Sequence, residues 1–155
     1  MNHSTHSDNA AAQTAAENPA PIRTRIALVI RDDLPVWKKL NVTAFLSSGI
    51  AACDEPLVGD KYVDADGRNY FPMFAQPVVV YGASAEDMRR VFGRALERDL
   101  KMALFADELF ATGNDLDNRA AIAAIRTDAL NLAGFGVTGG ASQIDKALKG
   151  LKLHP

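Results

Sequence analysis

The sequence predicts an α/β domain built on four strands, with helices covering both faces of the sheet. Three observations lead there. Short apolar runs rich in β-branched residues recur along the chain, "TRIALVIR" (24–31), "PVVVYG" (77–82), "KMALFA" (101–106) and "ALNLAGFGV" (129–137). They read as buried strands, because a strand covered on both faces is continuously apolar rather than alternating. Helical patterns fall between them, and strands alternating with helices imply a sheet with both faces covered. One Asp-Gly pair, Asp66-Gly67, lies between "KYVDA" and "RNYF", a strong short-range signal for a small inserted β-hairpin.

Residues 1–22 stand apart. They contain no Lys, Arg or aromatic residue and are rich in Ala, Asn, Ser and Thr. Such a stretch cannot bury enough apolar surface to order itself, so it reads as a disordered leader. It also lacks the positive start and continuous apolar core of a secretory signal. Residues 23–155 form the expected single domain, a size that buries a core without staples.

After the first strand, "DDLP" breaks the chain. Residues 36–53 then read as a helix with Leu40, Thr43, Ala44, Ser47 and Ile50 on one face. Following the hairpin and second strand, Ser84 with Asp87 three residues on forms a capping-box-like start, with Glu86 also in the first turn. Met88, Val91, Phe92, Ala95 and Leu96 make an amphipathic stripe. "LDNRAAIAAIR" (116–126) and "SQIDKALKG" (142–150) read as two further helices, the last stopped by Gly150.

Composition narrows the function. The chain has 19 acidic residues, of which Asp8 and Glu17 lie in the leader, leaving 17 acidic against 17 basic residues in the body. Nucleic-acid binding draws on a basic excess, so a nucleic-acid partner is not expected. No run approaches the ~18 apolar residues of a membrane span. The single cysteine, Cys53, rules out an internal disulfide and suits a reducing, cytoplasmic setting, where it reads as a small core residue. Two of the three histidines, His3 and His6, lie in the leader and His154 is next to last. His-based triads and His-rich metal sites are therefore excluded, and neither metal nor cofactor is expected.

Several motifs dissolve in context. Gly134, Gly136 and Gly139 in "GFGVTGG" carry the G-x-G-x-x-G spacing of a dinucleotide loop, but that fingerprint opens a first βαβ unit with an acidic residue on a later strand. Only 16 residues follow Gly139 here. The first two glycines fall inside a predicted strand and read as marks of close packing. "DADG" (64–67) reads as the hairpin turn rather than a calcium loop. Arg90, Arg94 and Arg98 are interleaved with acids and read as a solvated, ion-paired face.

One constellation remains. Ligands gather beyond the carboxyl ends of strands in open α/β sheets. Were the first, third and fourth strands parallel, Asp32, Asp33, "ADELFATGND" and "VTGG" would meet. Asp107, Thr112 and Asn114 would then offer a base, a hydroxyl and an amide, with Lys38 and Lys39 nearby. Equally, Asp107 and Asp115 could cap helices, with Thr112-Gly113-Asn114 a plain turn.

The segments "RIALVIRDDL", "PVVVYGASAEDMRRVFGRALERDLKMALFADE" and "GFGVTGGASQIDKALKGLKLH" resemble the type II peptidyl-tRNA hydrolase fold. "LNVTAFLSSGIA", "YVDADG", "ELFATGND" and "GLKLH" resemble its relative, domain-of-unknown-function family 2000. The resemblance covers about residues 23–154. It implies a three-layer α/β/α sandwich around a four-stranded, mostly parallel or mixed sheet. It also implies Lys39 and Asp107 with Thr112 as counterparts of hydrolase residues, although the hydrolases' Gln and His have none in "WKKLNVTAFLSS". The expected functional surface is therefore Lys39, Asp107 and Thr112 as catalytic residues, with Asn41, Thr43, Gly113 and Asn114 binding ligand. The expected role is binding of a small molecule or a protein partner, with homo-oligomerisation compatible. The alternative is hydrolysis of peptidyl-tRNA or a related acyl ester, and whether the protein is an enzyme stays open.

Overall fold

The computed structural model describes residues 23–155, so the expected leader lies outside the described residues. Strand β1 (Thr24–Arg31) is buried from Ile26 to its end and runs down the middle of a sheet ordered β5-β6-β1-β4-β7. The other strands are β4 (Val78–Ala83), β5 (Lys101–Ala106), β6 (Leu132–Gly140) and β7 (Lys152–Leu153). β4 is parallel to β1, whereas β6 is antiparallel to both β1 and β5, and β7 is antiparallel to β4. The sheet is thus mixed and five-stranded, not four-stranded. The fifth strand has only two residues, too few to show any period in sequence.

The direction of β6 corrects a second expectation. β1, β4 and β5 end at the edge where β6 begins, so "VTGG" (137–140) lies at the opposite edge, paired with the start of β1. There the amide of Ala141, at the head of helix α4 (Ala141–Ala147), donates to the carbonyl of Arg23 at 2.8 Å.

The two faces of β1 feed two cores. Leu28 and Ile30 pack with Val42 and Leu46 of helix α1 (Val36–Ala51), while Ala27 and Val29 pack with Met88, Val91, Phe92 and Ala95 of α2 (Ala85–Glu97) and Ile144 and Ala147 of α4. α2 begins as expected, its Ser84 hydroxyl accepting from the Asp87 amide at 3.1 Å, and Arg90 pairs with Asp87 on its outer face. α1 departs from expectation. Its buried row is Val42, Leu46 and Ile50, whereas Leu40 is 67% exposed. Apolar and polar residues are scattered round the helix rather than sorted to two sides, so periodicity alone could not say which stripe faces inward.

The glycines of "GFGVTGG" answer to this packing. A Cβ at Gly134 would stand 2.8 Å from both the Val29 carbonyl oxygen and Val42 Cγ1, and one at Gly136 would stand 2.8 Å from Leu28 Cδ2. Neither position has room for a methyl group beneath α1. Gly139, with φ at 149°, sits where the strand turns into α4.

Between α1 and β4, Tyr62–Val63 (β2) and Asn69–Tyr70 (β3) form the expected hairpin around Gly67, whose φ is 81°. Asp64 ties its turn, accepting from the amides of Asp66 (3.0 Å) and Arg68 (2.9 Å) and from the Tyr70 hydroxyl (2.7 Å). The Arg68 amide first, then Tyr70, holds the Asp64 carboxyl below its ordinary value, and the same bond raises the Tyr70 phenol.

Two outcomes are expected. Gly134→Ala should cost about 1–3 kcal/mol by overpacking, since one obstacle is backbone. Gly93→Ala in α2, where an added Cβ meets nothing within 4 Å, should instead gain up to about 1 kcal/mol of helix propensity; thermal melts compare the two. A carboxyl whose folded pKa is depressed stabilises above its unfolded value and loses that contribution as pH falls through the folded one. The Arg68 amide and Tyr70 ring resonances should therefore hold until the pH drops below the ordinary carboxylate range, and lose that transition in Asp64→Asn.

Candidate functional site

At the edge where β1, β4 and β5 end, Arg31 closes β1 with a side chain only 10% exposed. A buried guanidinium must have its donors met, and this one does. It donates to Asp107 at 2.9 and 3.1 Å as a two-pronged pair, to Asp33 at 2.7 Å and to the Leu132 carbonyl at 3.1 Å. Burial works against its charge, but the hydrogen bonds and charges of Asp107 and Asp33 prevail and the pKa is raised. A group with a raised folded pKa keeps its contribution until pH climbs through that value, so the cluster is intact throughout the neutral range.

Asp107, directly after β5, also accepts from Asn131 Nδ2 at 2.8 Å, and its amide donates to the Asn131 carbonyl at 2.9 Å. Both carboxylate oxygens are thus occupied by donors, and the residue bolts β5, β1 and the approach to β6 together. The sequence reading singled out Asp107 and Asp33 but missed Arg31 and Asn131. The available signal was an arginine ending an otherwise unbroken apolar strand, followed two residues later by an acid.

The other candidates take local roles. A 3-10 turn (Asp107–Ala111) leads to helix α3 (Asp115–Ala123). Asn114 caps α3, its Oδ1 accepting from the Asp117 amide at 2.9 Å while Nδ2 donates to Asp117 at 2.8 Å. The Thr112 hydroxyl donates to the Leu109 carbonyl at 2.9 Å and bonds Asn118. Gly113 is exposed with open space around it. On α1, the Thr43 hydroxyl is turned back to the Lys39 carbonyl at 2.7 Å.

Helix geometry puts Lys38 and Lys39 on different rows of α1. Lys38 lies 4.3 Å above the Phe110 ring and Phe45 rests on Phe105, with centroids 5.6 Å apart, so that flank of α1 faces β5 and the 3-10 turn. At about 100° per residue, Lys39 falls on the row of Val42, Leu46 and Ile50, the buried side of α1, with Thr43 beside it. Asn41 is half-buried. Among the described residues, no hydrogen bond or ion pair joins Lys39, Asn41 or Thr43 to Asp107, Thr112 or Asn114.

A groove of about 700 Å³ opens nearby, on the α2 face. Phe92, Leu96, Leu130 and Leu132 give it an apolar lining, Gly93 leaves its wall open, and Arg89, Arg126 and Asp128 also line it. Arg126 faces Asp128 at 3.5 Å. The two arginines were not anticipated as site residues from sequence, where Arg126 only ends the helix read over 116–126 and Arg89 lies in the helix after Ser84. Among the described residues no three His, Cys, Asp or Glu side chains cluster as metal ligands would, and no helix is long and apolar enough to cross a membrane.

Arg31→Met should strand Asp107 and cost about 3 kcal/mol, the lower end for breaking a buried pair because Asp107 keeps part of its surface in water. The double variant Arg31→Met with Asp107→Leu should recover much of that loss, which denaturant melts of the four-member cycle would measure.

Comparison with known proteins bears on the fold and the family. No curated protein matches the chain. A solved structure of a protein of unknown function from Agrobacterium tumefaciens strain C58 is 42% identical, with a TM-score of 0.82, covering 85% of this chain and 98% of that one. A family model described as a protein of unknown function, DUF2000, matches residues 24–155. The chain belongs to the DUF2000 family.

Proposed function

We propose that this domain is a non-catalytic binding protein whose ligand seat is the groove between α2 and residues 126–132. The observation that carries the reading is the groove itself, an apolar lining with two arginines against one aspartate. That chemistry fits a small carboxylate with an apolar body: the body covers Phe92, Leu96 and Leu130, and the acid meets Arg89. Three donors, two from Arg31 and one from Asn131, hold the Asp107 carboxylate in place, which supports a structural use of that side chain. The one cysteine suits a reducing, cytoplasmic setting.

The resemblance to type II peptidyl-tRNA hydrolases supports a second reading, hydrolysis of peptidyl-tRNA or a related acyl ester. Asp107 would orient water, Lys39 would stabilise developing negative charge, and Thr112 or Asn114 would position the carbonyl. Asn41, Thr43 and Gly113 would complete that surface.

Two measurements decide. Ligand-observed NMR with a panel of aliphatic and aromatic carboxylates should find binders that Gly93→Leu and Arg89→Ala each weaken at least about tenfold, the scale of one lost charged contact. Binders indifferent to both variants would remove the groove from the argument. Release of the peptidyl group from N-blocked aminoacyl-tRNA in low salt should be absent, and turnover abolished by Asp107→Asn would establish the hydrolase instead.

A further inference from the structure

The groove between α2 and residues 126–132 carries more chemistry than a lone carboxylate uses. Its charges are of both signs, Arg89 on α2 and Arg126 and Asp128 at a second 3-10 turn (Thr127–Ala129). Glu86 and Glu97, a turn before Arg89 and a turn after Gly93 on the same helix, do not line it. Among the described residues Arg89 makes no ion pair or side-chain hydrogen bond. Arg126 meets Asp128 only at 3.5 Å, longer than a good hydrogen bond, and the two side chains are 88% and 78% exposed. Such a pair holds its partners weakly, so both charges are free to turn to a ligand. Below them the surface is apolar. Phe92 and Leu132 are buried, with the Phe92 ring set edge-on against Phe135 at 5.4 Å, while Leu96 is exposed and Leu130 half-buried.

We infer that the ligand of this groove is a free α-amino acid with an apolar side chain, its carboxylate held by Arg89 and Arg126 and its ammonium by Asp128. The inference rests on the groove being the ligand seat and names the class that fills it. An α-amino acid carries an anion and a cation on one carbon, and the loose Arg126–Asp128 pair presents the opposite charges side by side. Binding exchanges that one weak pair for charge-assisted contacts on both of its members. Once the ammonium occupies Asp128, Arg126 is released to join Arg89, and each carboxylate oxygen meets a guanidinium. The side chain then covers Phe92, Leu96 and Leu130, removing apolar surface from water. At Gly93 an added Cβ would meet nothing within 4 Å, so bare helix backbone admits the ligand close to α2. A plain carboxylate uses Arg89 and leaves the Arg126–Asp128 pair as it stands. An N-acylated amino acid brings no cation to Asp128 and sets its acyl group where the ammonium belongs.

Titrations of the full chain at neutral pH test this with matched ligands: leucine, its desamino analogue 4-methylpentanoate, and N-acetylleucine. Phenylalanine and 3-phenylpropanoate form a second pair. Each amino acid should bind at least about tenfold more tightly than its desamino analogue, the scale of one charged contact. N-acetylleucine should bind no better than 4-methylpentanoate. Asp128→Asn should bring the ratio within each pair close to one, and Arg126→Gln should weaken leucine more than 4-methylpentanoate. Both substitutions fall at exposed positions, so thermal melts should coincide with that of the parent chain. Amino acids that bind no tighter than their desamino analogues overturn the inference and leave the groove as a carboxylate seat. A preference that survives Asp128→Asn overturns it equally. Binding by none of these ligands removes both the inference and the groove reading beneath it.

Discussion

The architecture depends on how near one helix comes to the sheet. α1 lies over β6 with Val42 and Leu46 seated on the bare backbone at Gly134, and Ile50 seated beside Gly136. Gly49, on the helix itself, leaves Ala103 Cβ of β5 only the space of a missing methyl group. Three absent side chains on two layers allow one apolar row to reach down to the strands. This close contact fixes which row of a weakly amphipathic helix is inside. The outward stripe follows from that choice rather than from any amphipathic pattern.

Local structure was legible where a chemical signal was local. β1 and β5 have the limits their apolar runs suggest, α2 begins at its Ser84 cap, and the hairpin turns at Gly67. What sequence could not show was the non-local part. The direction of β6 depends on a connection whose helix might have crossed the sheet or merely returned beside it, and both give the same pattern of apolar residues. β7 is too brief to announce itself. Leu40 and Val42 are equally apolar, and only the glycines of a strand some 90 residues away decide between them.

The strand-end cluster was half legible for the same reason. Asp107 stood out as an acid beyond a strand, the position where ligands gather in α/β sheets. Its partner Arg31 belongs to a different strand, 76 positions earlier, and nothing local marks their pairing. Thr112 and Asn114 are residue types that suit a catalytic loop and a capped turn equally well, and the backbone amide of Asp117 takes the Asn114 side chain. Chemistry-bearing residues near a strand end are raw material for a site, and their hydrogen-bond partners decide whether they are spent on structure.

The reversal of β6 has a consequence for the segment from the 3-10 turn through α3. Neighbouring antiparallel strands need no helical crossover, so apart from Leu109, Phe110 and Leu130, which pack against the cores, residues 107–131 need not cover a sheet face. α3 accordingly buries no residue completely. Yet the stem of this excursion is clasped shut, Asp107 and Asn131 bonding each other through both backbone and side chain. The result is a closed outgrowth on a fixed base, a position where the chain can be lengthened, shortened or replaced while the strands on either side keep their register.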